Sequence, residues 1–465
     1  MTGTGARDAN VQAPKPLTRS MKLMGALFLT LSAATPASSV FVILPDVLAQ
    51  AGTGALISMA VAGVIAVCVA QVYAELGSAF PLAGGEYAIV GRILGPLTGF
   101  VVLGLNLVNS LLATAVLALG VSEYLGAAIP GLQPLPTALV VIWGSALLGV
   151  LNIRTNALVT GAFVAVEIAA LGVLTVLGFM HPARSPMELL AHPQGLLGGA
   201  LTPTPMAAIG LAVTVAIFAY DGYGSAVYFG EEMHEAPRKI GRAIIAALII
   251  VMVSELLPLV AVLTGAPDLA GLLGSRNIFG GFVTSVGGAG LGAVLSVGVG
   301  MAIINAVIAL VLLTSRQLYS TGRDQTWGGA VSALMARVHP RFGSPWAATL
   351  ATGLFASGLC FVPLKLLLIA TGAGVAVIYS TLSIAALMGR ASKRTDHAPF
   401  RMRGFPIAPV VALIALIAVM WSSWRDPAEG RPGLIAAIGV AMVSAVYFLL
   451  VLQRRGWVLR GPEET

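Results

Sequence analysis

The chain has 465 residues, of which 57% are hydrophobic and only 10% charged, with a formal net charge of +7. Its apolar stretches repeatedly exceed the roughly 18 residues needed to cross a bilayer, which excludes an ordinary soluble protein and favours one integrated transmembrane domain. Two cysteines, Cys68 and Cys360, both in apolar segments, exclude a disulfide framework, and all five histidines (His181, His192, His234, His339, His397) lie between spans. That pattern argues against haem or a metal centre in the membrane, and no cofactor is expected.

Residues 1–20 are polar, contain Pro14 and Pro16, and read as a disordered cytoplasmic tail. They lead into an apolar stretch too long for a signal-peptide core, so no cleavable signal is expected. Hydropathy places about twelve transmembrane helices, centred near residues 36, 64, 110, 143, 168, 218, 251, 302, 352, 376, 414 and 443. The predicted organisation is an all-α polytopic membrane protein, with a ten-helix transport core over 21–388, two peripheral helices over 389–454 and a cytoplasmic tail over 455–465. Of the 26 basic residues, all but Arg184, Arg276, Lys365, Arg425 and Arg431 fall on the side of the amino terminus. The positive charge is therefore a topology signal that places both termini in the cytoplasm, and no nucleic-acid partner is expected.

The first apolar stretch is interrupted by Ala34-Thr35-Pro36-Ala37-Ser38-Ser39 and the sixth by Phe218-Ala219-Tyr220-Asp221-Gly222-Tyr223-Gly224-Ser225. Backbone groups freed at membrane depth are tolerated where they line a cavity, so breaks five spans apart predict a midplane substrate site between inverted repeats. After the first break the chain resumes with Ala37-Ser38-Ser39-Val40-Phe41, whose amides would point a positive dipole end at a substrate carboxylate. The alternative is a Pro36 kink whose hydroxyls satisfy the freed carbonyls. Asp221 either holds a substrate amine or accepts freed amide hydrogens. Phe218 and Tyr223 either pack or close over substrate as a lid.

The second span is predicted to end at Tyr73-Ala74-Glu75, followed by a loop through Phe80-Pro81-Leu82-Ala83-Gly84-Gly85-Glu86-Tyr87. Glu167 lies mid-span with no basic neighbour in its helix, where a carboxylate is costly; it is either a proton carrier or a permanently neutral hydrogen-bonding group. Glu255, near Pro258 in the seventh span, is a second coupling candidate that an outer vestibule would wet. Asp46 belongs to the outer boundary. Segments His181–Thr204 and Asp268–Gly280 are external connections, the second partly helical. Glu231, Glu232, Glu235, Arg238, Lys239 and Arg242, together with Arg316, Arg323 and Asp324, read as solvated charge runs or as gate pairs at an inner mouth. Trp421 and Trp424, beside Arg425, read as interfacial anchors.

Four segments give the chain a family resemblance. Ala37–Phe41 stands where the amino acid-polyamine-organocation transporters have Gly-Ser-Gly-Ile-Phe. The others are Glu75–Gly95, Phe218–Tyr223 with Glu231-Glu232 and Pro237-Arg238, and Ser315–Asp324. Over about residues 20–450 the chain resembles that superfamily. The resemblance implies a five-plus-five inverted-repeat fold (LeuT-like) with broken helices 1 and 6, working by alternating access. The helix breaks and the resemblance together make Thr35, Ala37, Ser38, Ser39, Val40, Phe218, Ala219, Tyr220, Asp221 and Tyr223 the expected substrate site, while the cost of a buried mid-span acid makes Glu167 and Glu255 the coupling candidates. Substrate carboxylate would meet backbone near Ser38 and Ser39, and its amine the carbonyls of Phe218, Ala219 and Tyr220. The chain departs from the pattern where Ala and Ser replace first-helix glycines, and at Glu167, where several prokaryotic relatives have a lysine.

The expected function is secondary active transport of an amino acid or related amine across the cytoplasmic (inner) membrane, with a proton as coupling ion and the lipid bilayer as its other partner. A polyamine or amine antiporter is the alternative. An intramembrane enzyme is disfavoured by the absence of His-Glu-x-x-His and of any histidine in a span. A channel is disfavoured because no repeated filter or charge ring is present.

Overall fold

The computed structural model describes residues 16–126, 129–275, 277–428 and 430–461, without the side chains of 365 and 368–373. Most of the predicted amino-terminal tail, Arg276 and the end of the carboxy-terminal tail lie outside the described residues. The described chain is almost entirely helical. In order it forms α1 (Leu23–Ala34), α2 (Pro36–Ser38), α3 (Leu44–Ala51), α4 (Ala55–Ala79), α5 (Glu86–Leu94), α6 (Pro96–Leu125), α7 (Pro134–Gly149) and α8 (Ile153–Met180). Then come α9 (Pro186–Ala191), a hairpin of β1 (Gln194–Leu197) and β2 (Ala200–Pro203), α10 (Met206–Ala219), α11 (Ala236–Gly265), α12 (Leu269–Leu273) and α13 (Ile278–Arg323). The chain closes with α14 (Gly329–Met335), α15 (Trp346–Leu359), α16 (Leu364–Ala391), α17 (Ile407–Arg425) and α18 (Gly430–Tyr447).

Among the described residues, nine helical stretches are long and apolar enough to cross a membrane, and α7 and α15 are shorter apolar helices. One stretch, Leu23–Ala79, holds the first two predicted spans in succession, so every predicted span centre falls in a helix. The helices are apolar nearly all round, as expected where lipid is the solvent on one side and protein on the other. Exposed Ile414, Ile417 and Trp421 on α17, and Met442 and Val443 on α18, show the lipid-facing sides of the last two helices.

Helix α1 packs among α8, α11 and α13, while α11 packs along α4 and α8, and α13 along α6 and α8. The first helix is thus wrapped by the elements that carry the mid-span acids. Two details differ from the sequence reading. Helix α4 continues through Glu75 to Ala79 and stops before Pro81, whose ring cannot continue the hydrogen-bond ladder. The connection after α8, for which no elements were predicted, carries regular structure: Ser185 caps α9, and β1 pairs with β2 around Gly198-Gly199.

Candidate functional site

Proline disfavours α backbone in the residue before it and contributes no N–H, so α1 ends at Ala34 and a helix restarts at Pro36. Thr35 between them adopts φ 41° and ψ 67°, a left-handed conformation that a β-branched residue holds only when its surroundings enforce it. Those surroundings come from α8. The Ala37 amide donates to Glu167 Oε1 at 2.7 Å, and Thr35 Oγ1 donates to the same oxygen at 3.3 Å. Glu167 is fully buried, and its other oxygen has no hydrogen-bond partner among the described residues. The amide that the sequence reading offered to a substrate carboxylate is therefore held by the chain's own carboxyl. Ser39 N donates to Thr35 O at 3.1 Å, and Ser38, Ser39 and Val40 are buried as the restarted helix passes through a π-helical turn.

The second break forms differently. Helix α10 ends at Ala219, and Gly222 takes φ 98°, after which a 3₁₀ segment runs from Tyr223 to Glu232. Asp221 accepts from the Gly222 amide at 2.6 Å and from the Tyr379 hydroxyl on α16. A Cβ on Gly222 would stand 2.5 Å from Ala34 Cα, so the two breaks touch backbone to backbone. They are also bonded: Ser39 Oγ donates to Ala219 O at 2.8 Å. Tyr220 is buried with its hydroxyl donating to Met59 O at 3.3 Å, and Tyr223 meets Tyr73 edge-on at 6.2 Å between ring centroids.

A cavity of about 110 Å³ adjoins both breaks, bordered by Ala33, Asp221 and Gly222 and walled by Tyr73, Glu86, Asn106 and Tyr379. Glu86 accepts from Tyr73 Oη at 3.0 Å and from Asn106 Nδ2 at 3.3 Å. None of these four wall residues was singled out from sequence. Glu86 stood within a quoted motif, so an acid directly after two glycines was its available signal. Nothing marked Tyr379. Phe218 lines a separate cleft of about 710 Å³ with Asp46, Gln50, Ala376 and Met420. It therefore stands beside the break on the side of α3 and not in the smaller cavity.

Glu255 on α11 is fully buried, contrary to the expected wetting by a vestibule, and among the described residues no well-formed hydrogen bond reaches its carboxyl oxygens. It stands beside Ser39 and within electrostatic reach of Glu167.

The opposite end of the site is shut by ion pairs. Arg316 pairs with Glu232 through two bonds of 2.8 and 3.0 Å, and Arg323 Nη1 reaches Glu231 at 2.8 and 2.9 Å. All four residues are buried, which favours the gate-pair alternative over solvated faces for these residues; the partners of the α13 arginines are the acids that close the 3₁₀ segment. Glu235 and Lys239 do form an exposed pair, at 2.7 Å, and its hydrogen bond and charge lower the Glu235 carboxyl from its usual range. A third closing pair joins Arg390 to Glu75 at 2.6 and 2.7 Å. Just beyond the end of α13, burial pushes the Asp324 carboxyl up to about 7 although Arg323 lies beside it and Tyr87 Oη donates to it. Among the described residues no group of three or more His, Cys, Asp and Glu is arranged to hold a metal ion.

A family model described as amino acid permease matches residues 21–450. The chain is 26% identical over 436 residues to the methylthioribose transporter of Bacillus subtilis, covering 89% of each chain. It is 27% identical over 445 residues to the branched-chain amino acid permease BcaP of Lactococcus lactis, covering 90% of this chain and 92% of that one. It also matches the mouse large neutral amino acids transporter small subunit 2 at 27% identity over 332 residues, 68% of this chain and 60% of the relative.

Proposed function

The chain belongs to the amino acid permease family, and from that premise we propose that it is a proton-coupled secondary transporter of amino acids or related amines that works by alternating access. It is a multi-pass membrane transporter and not an enzyme. We place it in the cytoplasmic membrane; the basic bias of the loops supports having both termini inside.

The observation that carries the coupling is the Glu167 carboxyl on the Ala37 amide. An ionised carboxylate accepts hydrogen bonds about twice as strongly as a neutral group, so ionised Glu167 holds Ala37 and Thr35 against α8. Protonation weakens both bonds and releases the amide. A substrate carboxylate needs the same kind of donor, positive at a helix start. Substrate and ionised Glu167 are thus competitors for one amide, and substrate enters that position together with a proton on Glu167. Glu255 provides a second buried carboxyl along which the proton moves, with Ser39 beside it. The buried pairs of Arg316 and Arg323 support a state closed on the terminal side, while the cleft beside Phe218 supports access from the other.

The test uses proteoliposomes with an imposed pH gradient and labelled amino acids. Wild type accumulates substrate, whereas Glu167→Gln, permanently neutral, fails to accumulate it and still exchanges internal for external substrate. Accumulation driven by pH in Glu167→Gln protein would remove Glu167 from the coupling step. An exchanger of amines is the second reading, favoured by Asp221 and Glu86 on the small cavity; it requires exchange without net accumulation in the wild type.

A further inference from the structure

We propose that the cavity between the amino-terminal segment, the start of α8 and residues 337–345 is a binding site for the phosphate head group of an anionic phospholipid, held by Arg154 and Arg341. The site lies apart from the helix breaks and does not depend on which solute is carried.

The cavity, of about 480 Å³, forms on the side of the termini, where three chain segments meet. Thr18 and Ser20 border it from the amino-terminal segment, Arg154 and Thr155 from the first turn of α8, and Arg341 from the stretch before α15. The segments are fixed to one another. Ser344 Oγ donates to Val150 O, and a Cβ on Gly343 would stand 2.3 Å from Thr18 Oγ1. Small-ligand cavities span roughly 300–1,000 Å³, so the space takes a phosphate together with its glycerol.

The charge around it selects an anion. Residues 16–22, 150–160 and 337–345 contain Arg19, Lys22, Arg154, Arg337 and Arg341 and no Asp or Glu. Neither lining guanidinium makes a hydrogen bond or ion pair with another described residue; Arg341 only lies over the Phe342 ring, at 5.6 Å. The one acid among the described lining residues, Glu232, is already neutralised by Arg316 at 2.8 and 3.0 Å. Two forks suited to phosphate oxygens therefore border a cavity with no unpaired carboxylate to compete for them. The start of α8, a helix of 28 residues, adds the positive end of its dipole.

Leu158 indicates where the anion comes from. It lines the same cavity, is 72% exposed, and stands one turn further into the span than Arg154 on the same helix face. A polar end with two arginines and a lipid-exposed leucine one turn deeper match a phospholipid, with its phosphate at the level of the arginines and an acyl chain along the leucine. Basic pockets between spans at the membrane surface take anionic head groups in this way.

Purified full-length protein in neutral detergent is titrated with phosphatidylglycerol, phosphatidylcholine or sodium phosphate at constant ionic strength, with thermal unfolding as readout. Phosphatidylglycerol is expected to raise the unfolding temperature and the other two to leave it unchanged. Binding of phosphatidylglycerol should weaken at least tenfold in the double variant Arg154→Gln/Arg341→Gln. Arg403→Gln, at an exposed arginine outside the cavity, should bind as the wild type does. Each variant is scored only when it elutes as the wild type does; if the double variant fails that check, Arg341→Gln, at an exposed position between helices, carries the test. Absence of stabilisation by phosphatidylglycerol, equal stabilisation by phosphatidylcholine, or undiminished binding in the cavity variant would overturn the proposal. An equal loss in Arg403→Gln overturns it in favour of general attraction to a basic surface. Stabilisation by sodium phosphate that matches phosphatidylglycerol overturns it in favour of a free-anion site.

Discussion

The two helix breaks serve the same purpose by opposite means. The second is closed locally: Gly222 supplies the left-handed turn without steric cost, and Asp221, its neighbour, accepts its amide. The first has no glycine. Thr35 holds the left-handed conformation, and the cap is Glu167, which lies 130 residues from Ala37 on another helix. A local cap stays with its break when helices move, whereas a remote cap can be released by a change in charge or helix position. In the mechanism proposed above, the second break serves as the fixed platform and the first as the switch, pinned to it by Ser39 on Ala219 O.

The platform is most directly broken at Gly222. Gly222→Ala combines a left-handed residue, costing roughly 1–2 kcal/mol, with an overpacked contact costing a similar amount. We expect about 3 kcal/mol of destabilisation and loss of uptake, read by thermal unfolding and transport of the same preparation. An unaffected Gly222→Ala protein would show that the breaks are not in contact.

Phe218→Ala sharpens the comparison from the cleft side. Losing an apolar lid should raise KM by about tenfold with kcat less affected, while Trp421→Ala on the lipid-facing side of α17 leaves both unchanged. Equal effects of the two substitutions would make Phe218 ordinary packing.

Separating the switch from other proton sites requires Asp324→Asn. The folded Asp324 carboxyl, at about 7, binds its proton more tightly than the unfolded one at 3.8. Its contribution to stability therefore declines as pH rises from the unfolded to the folded value, by about 1 kcal/mol between pH 6 and 8. Asp324→Asn should flatten that part of the stability curve and leave the pH dependence of uptake in place. A flattened uptake profile would instead assign coupling to the closed terminal side.

The smallest expected effect is at the pin between the breaks. Ser39→Ala removes one hydroxyl bond to Ala219 O, worth about 1 kcal/mol, and should lower the unfolding temperature slightly while slowing uptake. No change in either would leave the breaks held by packing alone.

The spans and both breaks were legible in the sequence because the bilayer imposes length and hydropathy on each span, and because Pro36 and Gly222 act on their own neighbours. What was not legible depends on helix rotation and on pairing across long separations. Glu167 was recognisable as a costly acid, but its contact with Ala37 depends on which face of α8 meets α1. That α8 is apolar on all sides leaves this undetermined by periodicity. The same limit hid Tyr379 and the convergence of Glu86 on Asp221. It also made buried Arg316 and Arg323 resemble a solvated run, since their partners Glu232 and Glu231 lie 84 and 92 residues away.

The claim that substrate and ionised Glu167 compete for one amide is tested most directly by counting protons during binding. Purified protein in weakly buffered solution, with a pH indicator, is mixed with a transported amino acid under conditions where Glu167 is ionised. The account predicts uptake of about one proton per bound substrate in the wild type and none in Glu167→Gln, which binds without needing to be protonated. Substrate binding by the wild type with no proton taken up would contradict it.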